Sequence, residues 1–308
     1  MTLIVAATGR ESLWLLADRR LSYQGREPKD DARKLMFLET KDGVAILGYS
    51  GLGETALGTE PADWMSAVLR GRLLSLEHSL GALADAIKKQ IPPHLVGLPA
   101  RASRAHNVIA PAFVDGEARL YTIDLEISPD RRSYRFRYTR HVTGRSLPAK
   151  PRTPRLAIAG SGALYLMEHK TWMRDLLRVL KAYDCGRLSA KAVADHFAAL
   201  NAEVYDGLED KTVGPRSIVA WRNRRGGAHR GEGGGHQCYT GTARDASSPI
   251  LPIIGNGMDI RALIDAMMPH FTRNFDALRT GQPAAELDKN QVNAELARLP
   301  DKPDDTLR

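Results

Sequence analysis

The chain has 308 residues, of which 43% are hydrophobic and 26% are charged, and its formal net charge is +8. This is the composition of an ordinary water-soluble globular protein, and the length suits one large domain or two small ones. No apolar run is long enough to cross a bilayer and no secretory signal pattern opens the chain, so we expect a cytoplasmic protein that does not enter membranes.

Short strands are predicted throughout the first fifty residues. Apolar and β-branched runs predict strands at 3–8, 13–17, 34–39 and 44–50, and the polar residues 22–31 predict a loop. Four strands within so short a stretch favour an antiparallel sheet built from hairpins.

Blocks of helices and strands alternate along the rest of the chain. Helices are predicted at 60–70, 76–91, 163–183, 190–208 and 260–278, and strands at 108–114, 118–125, 133–139, 155–159, 217–221 and 250–254. Pro92 and Pro93 are expected to end the second helix, and Ser189 is expected to cap the fourth. Such blocks argue against a parallel βαβ fold and favour packed sheets with helices outside.

We predict one domain over residues 1–280. The stretch from 281 to 308 is polar and contains prolines, so we expect a mobile tail or a partner-docking arm.

The positive charge bears on whether the protein binds nucleic acid, and the cysteines bear on its redox state. Part of the charge excess lies in two stretches, residues 131–145 and 222–230, but no common nucleic-acid-binding motif accompanies them. We therefore expect no specific nucleic-acid binding. Cys185 and Cys238 lie far apart and form no CxxC pair, so they are expected to be reduced thiols.

The glycine-rich segment 222–241 contains residue types that can bind a metal. These are His229, His236 and Cys238, but their spacing fits no standard zinc pattern and the glycines favour a floppy loop. The sequence therefore predicts no metal site and no cofactor.

Thr2 is the first candidate for a chemical role. Because threonine is small, an aminopeptidase is expected to remove Met1, which leaves a hydroxyl and a free α-amine on one residue. These two groups form a minimal pair of nucleophile and base. A threonine at position two indicates little by itself, so the prediction depends on the residues that follow at fixed distances.

Four residues stand at characteristic distances from Thr2. Asp18 and Arg20 follow the second predicted strand, Lys34 opens the third, and Gly48 lies where a small-residue turn is expected after the fourth. With these spacings the chain resembles the N-terminal-nucleophile (Ntn) hydrolases, and within them the proteasome β-subunit family, including its bacterial HslV-type members.

Two later motifs carry the same resemblance. Gly160-Ser161-Gly162 follows a short strand, and Asp210 precedes the strand at 217–221. The resemblance implies that Ser161 and Asp210 hydrogen-bond around the amine of Thr2 and orient it, with Gly160, Gly162 and Arg20 in supporting roles. Val213 stands where the family usually has serine, so this part of the polar network departs from the family pattern.

The resemblance assigns chemistry to the remaining matches. Thr2 would attack an amide with its own α-amine as base, and the Lys34 ammonium would lower the pKa of that amine through like-charge repulsion. Asp18 would hold Lys34, and the N–H of Gly48 would donate to the oxyanion. The product would be an acyl-enzyme ester that water hydrolyses.

The resemblance also implies that five residues surround the pocket that binds the substrate residue before the scissile bond. They are Leu21, Ala32, Ile46, Ser50 and Gly53. Since all are small or apolar, the pocket is predicted to accept an uncharged side chain.

The resemblance also implies a fold and an assembly. It implies a four-layer αββα sandwich, an α+β fold of two packed, mostly antiparallel sheets flanked by helices. It further implies a threonine-type peptidase that acts on peptides or proteins within a homo-oligomer, such as a ring, with any unfoldase partner left open.

Other interpretations remain open at this point. Asp18 and Lys34 can form a structural salt bridge, and Gly48 can be an ordinary turn residue. The chain can also be a non-proteolytic amidohydrolase of the same superfamily, or a catalytically inactive, proteasome-like assembly subunit. Retention of Met1 would favour the inactive subunit, because the amine would then be unavailable.

Overall fold

The structure, a computed structural model, describes most of the chain. The described residues are 2–23, 26–51, 53–54, 58–96, 106–127, 134–141, 154–226, 233–246, 249–283 and 286–297.

A first sheet contains six antiparallel strands. The strands are β1 (Leu3–Thr8), β2 (Ser12–Asp18), β10 (Arg155–Gly160), β11 (Arg216–Asn223), β12 (Gly234–Thr240) and β13 (Ala243–Asp245). Their order is β10-β1-β2-β11-β12-β13.

A second sheet contains seven strands. They are β5 (Leu35–Thr40), β6 (Gly43–Ser50), β7 (Asn107–Val114), β8 (Glu117–Ile127), β9 (Tyr134–His141), β14 (Ile253–Gly255) and β15 (Met258–Asp259). Their order is β15-β14-β5-β6-β7-β8-β9, and all neighbours are antiparallel except β14 and β5. A separate hairpin, β3 (Leu21–Tyr23) and β4 (Arg26–Lys29), occupies the region where a loop was predicted.

Seven helices are found among the described residues. They are α1 (Pro61–Leu69), α2 (Leu76–Val96), α3 (Gly162–Glu168), α4 (Thr171–Asp184), α5 (Ala190–Gly207), α6 (Ile260–Arg279) and α7 (Lys289–Ala297). None of these helices is long and apolar enough to span a membrane.

Three layers of apolar side chains hold the sheets and helices together. Ile4 and Leu15 of the first sheet pack between the sheets against residues of the second sheet, such as Ile46. The other face of the first sheet packs against α3, α4 and α5, and the outer face of the second packs against α1 and α2. The chain therefore has the predicted four-layer αββα architecture, and the predicted fold class is confirmed.

Two strands of the first sheet, β1 and β2, are buried on both faces. All six residues of β1 and all seven of β2 are buried, so these strands carry continuous apolar runs where a half-exposed strand would alternate. Because both sheets lie inside the sandwich, polar side chains near the strand ends are also withdrawn from water.

The helix predicted at 163–183 is divided into α3 and α4 at His169 and Lys170. Within a continuous helix, the carbonyl of Leu166 would accept the N–H of Lys170. It instead accepts the indole N–H of Trp172 at 2.8 Å, and the backbone of His169 is not helical.

Pro92 and Pro93 do not end α2, which continues to Val96. Prolines remove the donors that would pair with the carbonyls of Lys88 and Lys89. Both lysines are exposed, so water can satisfy these carbonyls.

Part of the glycine-rich segment forms β12 where a floppy loop was predicted. A Cβ on Gly234 would lie 2.5 Å from the carbonyl oxygen of Trp221, and one on Gly235 would lie 2.9 Å from its ring. The glycines therefore permit close pairing with β11. His236 contacts the carbonyl of Pro249 at 2.9 Å, while His229 lies outside the described residues.

The predicted tail contains the helix α7. Val292 is buried, and Arg273 of α6 donates to Gln291 of α7 at 3.0 Å. The domain boundary at residue 280 stays a prediction.

Candidate active site

A buried cluster joins Thr2, Asp18 and Lys34 at one end of the sandwich. Thr2 directly precedes β1, Asp18 ends β2, and Lys34 directly precedes β5, so strand ends from both sheets meet here. The ammonium of Lys34 donates to Oγ1 of Thr2 at 2.7 Å, to Oδ1 of Asp18 at 3.0 Å and to the carbonyl of Arg20 at 2.6 Å. These three bonds use the full donor capacity of a lysine.

The charges of this cluster are withdrawn from water. The side chains of Lys34 and Asp18 are both 0% exposed, and Thr2 is 2% exposed. Burial lowers the pKa of Lys34, because an ammonium is less stable away from water, and the Asp18 carboxylate opposes this shift. The proton on Lys34 is therefore held less tightly than in an exposed lysine.

Backbone groups fix the carboxylate of Asp18. Its Oδ1 accepts the N–H of Leu3 at 2.8 Å, and its Oδ2 accepts the N–H of Arg20 at 3.0 Å and that of Gly214 at 3.1 Å. Asp18 thus ties the start of β1 and the segment before β11 to the lysine.

Arg20 supports the cluster through its main chain and anchors it through its side chain. Its guanidinium forms a two-pronged pair with Asp30, at 2.6 Å for both bonds, and also donates to the carbonyl of Lys211 at 2.6 Å. This planar arrangement fixes the carbonyl that accepts from Lys34.

The Gly160-Ser161-Gly162 motif contacts the main-chain carbonyl of Thr2. The N–H of Gly162 donates to this oxygen at 3.3 Å, and the hydroxyl of Ser161 donates to it at 3.5 Å. Gly160 has φ +92°, and an added Cβ would lie 1.8 Å from the same oxygen. The sequence predicted contacts around the amine of Thr2, whereas the contacts found here involve its carbonyl.

Thr212 is a residue of this network that the sequence interpretation missed. Its hydroxyl donates to the hydroxyl of Ser161 at 3.0 Å, and its N–H donates to Oδ1 of Asp210 at 3.1 Å. Thr212 therefore links Asp210 to Ser161 through two hydrogen bonds. Val213, at the expected serine position, is fully buried in the core beneath the helices. A search for hydroxyl groups one residue to either side would have found Thr212.

Gly48 lies inside β6 and not in the turn that follows. Its Cβ position is 2.9 Å from a methyl of Leu15 and 3.0 Å from one of Leu35, so a side chain at this position would displace leucines that pack between the sheets. The turn begins at Gly51, which has φ +106°. A role for the Gly48 N–H in binding an oxyanion stays a prediction.

The predicted pocket residues lie around this end of the sandwich. Leu21, Ala32, Ile46 and Ser50 are buried, and Ile46 forms part of the core between the sheets. Gly53 is half-buried and has open space around it. Ser50 of β6 and Gly160 of β10 bring the two sheets into contact here, because the Oγ of Ser50 lies 3.0 Å from the Cβ position of Gly160.

No protein-family model and no curated protein matches the chain. Solved structures similar to it include Anbu structures from three bacteria. The helical assembly of the Anbu complex from Pseudomonas aeruginosa has 11% identity and a TM-score of 0.45 over 94% of this chain and 100% of that chain. Anbu (ancestral beta-subunit) from Yersinia bercovieri has 11% identity and a TM-score of 0.42 over 72% and 82%. Anbu from Hyphomicrobium sp. strain MC1 has 12% identity and a TM-score of 0.41 over 93% and 99%.

Proposed function

We propose that this protein is a threonine-type peptidase of proteasome type, an Ntn amide hydrolase whose nucleophile is Thr2 after removal of Met1. One observation carries the proposal. The ammonium of Lys34 donates to the hydroxyl of Thr2 at 2.7 Å, and this lysine belongs to a fully buried pair with Asp18.

A purely structural role explains this pair less well. Burying two charges costs several kcal/mol in desolvation, so such a pair is a weak source of stability. Charged groups with shifted pKa values are typical of sites where a charge develops during a reaction. The ammonium of Lys34 donates to the hydroxyl of Thr2, and removal of Met1 would give Thr2 a free α-amine.

The geometry supports the following steps. The α-amine of Thr2 takes the proton from Oγ1 as this oxygen bonds to the carbonyl carbon of the substrate. The Lys34 ammonium donates to Oγ1 and stabilises the negative charge that develops there. Collapse of the tetrahedral intermediate breaks the amide bond, the amine leaves with the proton, and water then hydrolyses the ester. The mechanism uses no metal and no cofactor.

We further propose that the protein assembles with copies of itself in the cytoplasm. The support for assembly is a row of exposed apolar side chains at alternating spacings of four and three along α6. The row consists of Ile264, Met268, Phe271, Phe275 and Leu278. Such spacing forms one continuous stripe on a helix, as at the seam of a coiled coil. The support for the cytoplasm is that both cysteines are free.

The test of the proposed chemistry is the intact mass of the purified protein before and after incubation with a peptide epoxyketone. This reagent forms its ring only with a hydroxyl and a free amine on the same residue. We expect loss of Met1 and one adduct, no adduct in Thr2→Ala, and slower adduct formation in Lys34→Met, by on the order of 100-fold. Thr8→Ala is the matched control at the other end of β1, and it should react normally.

Two results would contradict the proposal. Retained Met1 with no adduct would favour the inactive assembly subunit. Loss of Met1 with neither an adduct nor cleavage of any peptide in a mixed library would remove the peptidase function and leave a non-proteolytic amidohydrolase as the alternative.

A further inference from the structure

One asparagine lies in the apolar face of α5 that packs against the first sheet. Asn201 is 0% exposed, and its neighbours on this face of the helix include Phe197 and Val204. Asparagine is mostly exposed in folded proteins, and a buried polar side chain is normally held by a hydrogen bond. The contacts of its amide therefore indicate what the residue does.

The amide of Asn201 holds the segment that leads into β11. Its Nδ2 donates to the carbonyl of Gly214 at 3.0 Å. With the two amide atoms exchanged, an oxygen would face this carbonyl, so the contact requires the nitrogen on this side. Gly214 lies between α5 and β11, outside both elements. A side chain thus supplies the bond that a helix or a sheet would otherwise give to this buried backbone group.

Gly214 contacts two of the residues that bind Lys34. Its N–H donates to Oδ2 of Asp18 at 3.1 Å, while Oδ1 of Asp18 accepts from the ammonium of Lys34 at 3.0 Å. A Cβ on Gly214 would lie 2.7 Å from the Cβ of Arg20, whose carbonyl accepts from the same ammonium at 2.6 Å. A displacement of Gly214 would therefore disturb both of these acceptors.

The stability of the fold does not account for this asparagine. Its Oδ1 is buried and has no hydrogen-bond partner among the residues that the structure describes. A buried acceptor without a partner costs at least as much free energy as one hydrogen bond contributes. The amide of Asn201 therefore adds little to stability, and the placement of Gly214 is the better explanation for it.

From these contacts we propose that Asn201 is a positioning residue of the candidate active site. It acts through a chain of hydrogen bonds in which Asn201 holds Gly214, Gly214 holds Asp18, and Asp18 holds Lys34 on the hydroxyl of Thr2. The residue touches neither the reacting atoms nor the predicted pocket. The inference rests on the proposed function, because the reaction that it supports is the attack by Thr2.

The substitution Asn201→Leu removes the donor and keeps a side chain of similar size. Adduct formation is followed by intact mass at increasing concentrations of the peptide epoxyketone. The maximal rate should fall by roughly tenfold, because Lys34 is held less firmly on the nucleophile. The concentration that gives half of the maximal rate should not change, since the pocket is untouched, whereas a general distortion of the site would change both values. Asn201→Ala removes the donor without apolar bulk and should give the same result.

Asn223→Leu is the matched control. Asn223 is a buried asparagine at the other end of β11, where its Oδ1 accepts the hydroxyl of Tyr183 at 3.0 Å. Loss of this bond should lower the melting temperature and leave both values of the epoxyketone reaction unchanged. The control therefore separates a loss of stability from a loss of positioning.

Hydrogen–deuterium exchange tests the contact with Gly214 independently of the reaction. A peptide that covers residues 209–216 should exchange faster in Asn201→Leu than in the parent, because the segment is no longer fixed to α5. The same peptide should exchange at the parent rate in Asn223→Leu.

Three results would overturn the inference. They are a maximal rate like that of the parent in both Asn201 variants, unchanged exchange at 209–216, and equal slowing of the reaction in Asn223→Leu. Failure of both Asn201 variants to fold would also overturn it, since the residue would then serve the fold. A parent that forms no adduct would remove the proposed chemistry, while the exchange rates would still decide whether Asn201 positions Gly214.

Discussion

At the scale of single residues, the candidate site holds Thr2 by two of its oxygen atoms. Lys34 contacts the hydroxyl at 2.7 Å, while the N–H of Gly162 contacts the carbonyl at 3.3 Å. With both groups held, the nucleophile is oriented before any substrate binds, and this pre-organisation lowers the entropic cost of reaching the transition state.

The prediction at this scale concerns the substitution Gly160→Ala. A Cβ would lie 1.8 Å from the carbonyl oxygen of Thr2, and the residue has φ +92°, so we expect a loss of about 3 kcal/mol or more in the free energy of unfolding and no epoxyketone adduct. Gly186→Ala is the matched control, because φ is +71° and no atom lies within 4 Å. It should cost only about 1 kcal/mol, the strain of a left-handed conformation.

Urea unfolding of both variants measures this difference. Equal losses for Gly160→Ala and Gly186→Ala would show that the contact with Thr2 does not restrict position 160.

At the scale of elements, the site depends on the short segment between α5 and β11. Within this segment Val213 packs in the core and Asp210 accepts the N–H of Thr212 at 3.1 Å. The buried valine fixes the backbone, so the hydroxyl of Thr212 is directed at Ser161 at the start of α3. The segment thereby positions the residues that contact Thr2 without touching the reacting atoms.

The prediction for this segment is that Thr212→Val slows epoxyketone adduct formation by roughly 10- to 100-fold. The loss of one hydrogen bond should lower the free energy of unfolding by only about 1 kcal/mol. Thr212→Ser keeps the hydroxyl and should restore most of the rate. A normal rate in Thr212→Val, measured by mass spectrometry over time, would mean that this hydroxyl plays no positioning role.

At the scale of the whole molecule, polar contacts join the start of α6 to α1 and to Arg70. Arg70 donates to Asp259 at 2.7 Å and Arg261 to Asp63 at 3.4 Å, and His270 is the one buried residue of the helix. The apolar row of α6 is left facing solvent, and Phe275 is 68% exposed. An apolar stripe of this size on a surface is typical of an interface.

We therefore expect Phe275→Glu to reduce the mass of the assembled particle in sedimentation velocity. A carboxylate in the row would have to be desolvated on association, which disfavours the contact. Thr272→Glu adds the same charge to an exposed position of the same helix outside the row, and it should leave assembly intact. If the parent sediments as a monomer, or if both variants sediment like the parent, the row on α6 is not a contact between copies.

Some features of the site follow from the sequence because they are local. The turn between β1 and β2 is short, so the pairing of Ile4 with Ala17 brings the start of one strand beside the end of the other. The spacing from Thr2 to Asp18 therefore already implies that the two residues are neighbours. The αββα fold class also follows from the alternating blocks of strands and helices together with the family resemblance.

The sequence did not determine the features that depend on distant contacts or on competing hydrogen-bond donors. Trp172 divides a predicted helix by binding the carbonyl of Leu166, and Thr212 replaces the serine expected at 213. Both depend on where a side chain points after packing.

Most strands of the two large sheets follow from the sequence alone, as does the local hairpin that places Asp18 beside the start of β1, whereas β3, β4, β12, β13 and β15 do not. The packing of distant segments, by contrast, brings Gly214 to Asp18 across 196 positions and makes β10 line one cavity together with β7 and β8. Hydrophobic periodicity specifies which residues are buried, and a short turn specifies its own pairing. Neither of them specifies which distant strands become neighbours, because the pairing of distant strands depends on the packing of all four layers at once.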